Sequence, residues 1–170
     1  VAVPGELTRE LIADQKETTM RVHIGTDHAG FEIKNAIAQV LRDRGYEVID
    51  HGAEAYDSED DYPVFIIPTA EAVVADPGSL GIILGGSGNG EAIAANKVAG
   101  VRAALIYSHD TALLARKHNN ANVAALGARM HSREQLIDLV LAFLATDFSG
   151  AERHVRRLEL ISAYEDSVSR

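Results

Sequence analysis

Four short stretches carry side chains that can move protons or bind anions. "GTDHAG" (25–30) sets Asp27 and His28 between glycines, a carboxylate and an imidazole side by side, the residue types of general acid–base chemistry. "GGSGNGE" (85–91) runs through Gly86, Ser87, Gly88, Asn89 and Gly90 to an acid, Glu91. Such a loop can offer several backbone N–H groups to an oxyanion, and Ser87 adds a hydroxyl. "RKHNNANV" (116–123) holds His118 and Asn119. The fourth set is cationic: Arg129 in "GARMH", and Arg153, His154 and Arg157 in "RHVRR". Arg153 and Arg157 are four residues apart and share a helix face, and a guanidinium fork matches phosphate.

Each stretch alone also has a purely structural explanation. Aspartate caps turns and helices. The helix dipole favours an acid such as Glu91 in a first turn. Histidine and asparagine suit helix C-termini, and a row of arginines is commonly a solvated face. The glycine loop does exclude two ligands. No Gly-Lys-Ser/Thr follows it, so it is not a nucleoside-triphosphate loop, and Lys97 lies beyond, inside the helical pattern. Counted from Gly86, the third glycine of a dinucleotide fingerprint falls at 91, where Glu91 stands and repels a pyrophosphate. A smaller oxyanion fits.

The elements that must position these residues alternate strand and helix. Strands are expected at 21–26, 46–50, 80–84, 102–107 and 122–127, each followed by a helical pattern: 30–45, a proline-marked turn from Asp61 and then a helix through Ala75 (kinked or shortened at Pro68), from Glu91, 109–119 and 132–146. A final amphipathic helix is expected over 151–165, with Val155, Leu158 and Ile161 on one side. Five strands each followed by a helix imply a parallel sheet covered on both faces, with ligands at the carboxyl ends of the strands. All four chemical stretches follow strands or lie on helices.

Bulk properties narrow the function. The 170 residues suffice for one cored domain. A net charge of −9 opposes a general nucleic-acid binder. The absence of cysteine removes disulfides, thiolate metal sites and a cysteine base. No apolar run approaches the ~20 residues that span a bilayer, and a cytoplasmic protein is expected. Residues 1–19 read as a flexible arm or as translation from a start upstream of Met20, residues 20–165 as one domain and 166–170 as a tail.

Taken in order, "GTDHAGFEIK", "DDYP", "GGSGNGEAIAANKVAGVRAAL", "ARKHNNANVAALGAR" and "RHVRRLELI" resemble the type B ribose-5-phosphate isomerases, whose wider group includes galactose- and allose-6-phosphate isomerases. The resemblance implies a Rossmann-like three-layer α/β/α sandwich with a five-stranded parallel sheet. It also implies a homodimer (a tetramer remains open) with active sites shared between subunits, and aldose–ketose isomerisation without metal or other cofactor. Position by position it implies that Asp27 and His28 are the family's Asp-His pair and that Tyr62 of "DDYP" lines the substrate site. His118 is then the ring-opening histidine with Asn119 beside it. Gly86 to Gly90 become the enediolate-stabilising loop, and Arg129, Arg153 and Arg157 the phosphate ligands, with His154 in the same segment. Many members carry a cysteine base where Gly85 stands. Glu91 resembles the glutamate that replaces it in an actinobacterial branch. The competing expectations are an isomerase of a six-carbon aldose phosphate, a non-catalytic sugar-phosphate sensor and, more remotely, a nucleotide-binding module.

Overall fold

The computed structural model describes residues 19–168; residues 1–18, the body of the expected arm, lie outside it. The chain begins with β1 (Arg21–Thr26), a one-turn 3-10 helix (His28–Gly30) and α1 (Phe31–Asp43). β2 (Glu47–Asp50), α2 (Pro63–Ala75), β3 (Leu80–Gly85) and α3 (Asn89–Ala95) follow. β4 (Ala103–Leu105), α4 (His109–Asn119), β5 (Val123–Gly127), α5 (Arg133–Leu144) and α6 (Glu152–Val168) complete it. All pairings are parallel, and the sheet order is β2-β1-β3-β5-β4.

Alternation along the strands builds two cores, because successive strand residues face opposite sides. Ile82, Leu84, Ala124 and Leu126 meet Ile37 and Leu41 of α1, Ala112 of α4 and Val140 and Phe143 of α5. Ile83, Val123 and Ala125 meet Ile66, Ala70 and Val73 of α2 and Ala94 and Ala95 of α3. The result is the expected three-layer α/β sandwich.

Most boundaries follow local chemistry. Ser108 with Thr111 and Ser132 with Gln135 form reciprocal capping boxes that open α4 and α5. Gly88, at φ +82°, makes the left-handed turn into α3, so the helix starts at Asn89, two residues ahead of the expected Glu91. Pro68 does not end α2, which runs to Ala75; Pro68 and Val64 lie on its exposed face, where water can take the carbonyl that proline leaves unpaired. β4 is shorter than expected because Arg102 turns out of the ladder, its N–H donating to Asn122 Oδ1 at 2.7 Å. Residues 166–168, expected as tail, continue α6.

α6 is the least covered element. His154 is its buried residue, while Leu160, Ile161, Tyr164 and Val168 are exposed. Among the described residues no helix is long and apolar enough to cross a membrane.

Candidate active site

The strand order reverses between β1 and β3, since β1 is followed outward by β2 while β3 opens the other half. Crevices at such points, outside the carboxyl ends of the strands, are where open α/β sheets bind ligands. Register aligns Thr26 with Leu84 and Gly85 with Gly127. The residues that follow, Asp27, Gly86 and Ala128, therefore emerge side by side. Ala128 N–H donates to Gly85 O at 2.7 Å and Arg129 N–H to Gly86 O at 3.1 Å, tying the β5 turn to the glycine loop.

Glu91 enters this crevice from the first turn of α3 and is 4% exposed. Its carboxyl group lies where a side chain on Gly85 would project. Burial is the largest influence on it and raises its pKa, and the Asp27 charge adds to the rise; the backbone N–H groups of Glu91 and Gly88 pull the other way. Burial therefore outweighs the helix N-terminus, and the group is a stronger base than an ordinary glutamate. Tyr62, at the start of α2, closes the far side: a Cβ on Gly90 would come 2.7 Å from the ring. Ser87 and Asn89 are exposed at the loop tip, the Asn89 N–H donating to Ser87 Oγ at 3.3 Å. They border a cavity of about 380 Å³ shared with Leu105, Tyr107, Met130 and His131.

Asp27 is buried and caps the 3-10 turn, its Oδ1 accepting from Ala29 N–H at 3.0 Å. His28 Nδ1 lies 2.6 Å from Asp60 Oδ1 and 3.9 Å from Asp27 Oδ2. The Asp60 bond is the largest influence on His28 and raises its pKa. Asp60 arrives on a loop anchored by Lys34, whose buried Nζ bonds both Asp50 oxygens (2.7 and 2.8 Å) and Ala53 O (2.9 Å). Arg129 reaches over the loop, with Nη1 3.4 Å from the Cβ position of Gly86. Among the described residues, Asp27, His28 and Asp60 are the histidine and carboxylate groups close enough to share a cation, but Nδ1 and Oδ1 are already engaged with each other.

Sequence reasoning passed over Asp60, although it stands in the "DDYP" motif that yielded Tyr62. Two adjacent acids ahead of Tyr-Pro were the available signal.

The other expected residues form a second cluster. His118 and Asn119 end α4 and are exposed. The His118 ring lies 4.3 Å from that of His154, whose Nδ1 is 2.9 Å from Ser149 Oγ. Arg153 Nε donates to His154 Nε2 at 3.3 Å, which fixes the His154 tautomer with the proton on Nδ1. Burial, then the charges of His118, Arg153 and Arg157, lower the His154 pKa. α4 runs antiparallel to the strands, so its C-terminus lies at their amino ends, about 16 Å of helix from the carboxyl edge. One chain therefore gathers Asp27, His28, Tyr62, Gly86–Gly90, Glu91 and Arg129 at one edge. It holds His118, Asn119, Arg153, His154 and Arg157 at the other, and does not bring His118 to Asp27.

The fold and the first cluster define a doubly wound α/β protein with a buried carboxylate beside a glycine-rich loop at its switch point. Comparison with known proteins is specific. The sequence profile described as Ribose/Galactose Isomerase matches residues 22–161. Ribose-5-phosphate isomerase B of Mycobacterium tuberculosis (strain ATCC 25618 / H37Rv) is 55% identical over 146 residues, covering 86% of this chain and 90% of that protein. The crystal structure of ribose-5-phosphate isomerase B from Mycoplasma genitalium with bound ribulose-5-phosphate superposes with a TM-score of 0.84 at 39% identity, covering 88% and 98% of the two chains. The type B ribose 5-phosphate isomerase of Trypanosoma cruzi gives 0.84 at 42%, covering 88% and 99%. The chain belongs to the ribose/galactose isomerase family, and it is an enzyme of that isomerase class.

Proposed function

We propose that this protein interconverts ribose 5-phosphate and ribulose 5-phosphate through a cis-enediolate, with Glu91 as the base. The observation that carries the reading is the buried Glu91 carboxyl group in the side-chain space of Gly85, beside the N–H loop and the Asp27–His28 pair. A single carboxylate suffices for the proton relay. It removes the proton from C2 of the open aldose and, now protonated, returns it to C1. Negative charge growing on the substrate oxygens meets the Gly86–Gly90 amides and Ser87; one such donor is typically worth ~3 kcal/mol.

Ring opening is assigned to His118 with Asp27, and phosphate binding to His28, Arg129, Arg153 and Arg157, with Tyr62, Asn89, Asn119 and His154 lining the substrate. Because one chain keeps His118, Arg153 and Arg157 at the opposite sheet edge, the reading requires a second copy to bring them over Glu91. The exposed Leu160, Ile161 and Tyr164 on α6 support such a partner. Holding the phosphate at a distance from the reacting carbons makes proton transfer effectively intramolecular.

The substrate is tested by offering ribose 5-phosphate, allose 6-phosphate and galactose 6-phosphate in turn, without added metal and with a chelator. Fast ketose formation from the pentose alone is expected. Conversion of a hexose phosphate alone would move the enzyme to the six-carbon branch. Tight binding without turnover would make it a sensor.

A further inference from the structure

Asp60 is used by none of the steps above, yet its placement is specific. Oδ1 accepts twice from one residue, from the His28 backbone N–H at 3.0 Å and at ring Nδ1, 2.6 Å away. The side chain is 9% exposed, and Oδ2 is buried without a hydrogen-bond partner. A carboxylate buried to this extent is costly unless a nearby cation and hydrogen bonds compensate it. Among the described residues His28 is its one ion-pair partner. His28 Nε2 makes no hydrogen bond within the described chain, and the Arg129 charge acts on the same ring.

We propose that Asp60 is a positioning residue for phosphate recognition: it grips His28 by backbone N–H and ring Nδ1, and so presents Nε2–H to the substrate phosphate. The proposal rests on the reading that His28 binds that phosphate. Because Nδ1 donates to Asp60, Nε2 is the ring nitrogen left for a ligand, and it carries a hydrogen when the ring is protonated. A charge-assisted donor binds phosphate more strongly than a neutral one. Three charged groups face the His28 ring. Asp60 and Asp27 favour its protonated form, while Arg129 and partial burial oppose it. The Tyr56 ring meets its edge at 6.3 Å and carries no charge. Asp60 is the largest of these influences and raises the His28 pKa, so it favours the cationic donor.

The test measures KM and kcat for ribose 5-phosphate across pH 6 to 9 in the full-length wild type, Asp60→Asn, Asp60→Glu and His28→Gln. Ratios to wild type cancel the titration of the substrate phosphate. For Asp60→Asn the KM ratio should be near one at the acid end. It should climb to about tenfold where the pH lies between the ordinary imidazole value and the raised value of His28, with kcat changed much less. Asp60→Glu, which keeps the carboxylate, should restore the wild-type profile. An increase in KM equal at every pH would reduce Asp60 to a structural role and overturn the proposal, as would no increase. If His28→Gln leaves KM unchanged, the phosphate role of His28 itself fails; if it raises KM while Asp60→Asn shows no pH dependence, Asp60 alone fails.

Discussion

The carboxyl group of Glu91 fills the volume that a side chain on Gly85 would occupy. A Cβ built on Gly85 overlaps Glu91 Oε1 and Cδ, so residue 85 and residue 91 cannot both place a side chain there. Gly85 ends β3 and Glu91 lies in the first turn of α3. The left-handed turn at Gly88 folds the second back over the first. The acid thus reaches the end of β3 from the other end of the loop.

This exclusion predicts that Gly85→Ala displaces Glu91. The expected loss in kcat is about 10²-fold or more, the scale of a lost general base, in a protein that still folds. Because both changes remove the same group from the same place, Gly85→Ala combined with Glu91→Gln should be no slower than Glu91→Gln alone. Steady-state kinetics on the four proteins measures this, and additive losses would separate the two residues.

Glu91 also ties stability to pH. Its folded pKa is raised above the unfolded value, chiefly by burial. Its favourable contribution is therefore complete below the ordinary carboxylate range and is lost as pH rises through the raised value. Glu91→Gln should raise Tm at pH 7 to 8, and the gain should vanish near pH 4. Thermal melts across that range read the sign directly.

Asp76, paired with Arg21 and His23 at the start of β1, shows the opposite sign. Arg21, through Nε at 2.8 Å, and His23 Nε2 at 2.9 Å hold its carboxylate well below the usual range. A depressed carboxylate stabilises above its unfolded pKa and loses that contribution as pH falls toward its folded value. Asp76→Asn should lower Tm at pH 7, with the difference closing below pH 3, and should leave kcat unaltered.

The division of functional residues between two sheet edges makes a complementation prediction. Glu91→Gln and His118→Asn should each be inactive. Unfolded together and refolded as an equal mixture, they should regain about a quarter of wild-type activity, since half the dimers are mixed and each has one intact site. No recovery would place Glu91 and His118 in one chain's site.

Much of this was legible in the sequence for physical reasons. The helix–strand alternation follows from apolar period and turn chemistry, and Ser108, Ser132 and Gly88 mark their boundaries locally. Glu91 was legible because a helix start follows a glycine loop. Whether burial or the helix terminus set its basicity was not, because burial depends on packing around β3 and α3. Asp60 meets His28 across 32 residues of chain, a contact that no local pattern encodes. His118 looked like a partner of Asp27 because both follow the family pattern. The antiparallel run of α4 separates them within one chain, a consequence of topology that spacing does not reveal.

The central claim is that Glu91 is the base. Its most direct test is turnover of ribose 5-phosphate by Glu91→Gln, with sugar-phosphate binding measured on the same protein by calorimetry. Isomerisation should be abolished while affinity stays within a few-fold of wild type. Substantial retained turnover by a folded Glu91→Gln enzyme would contradict it.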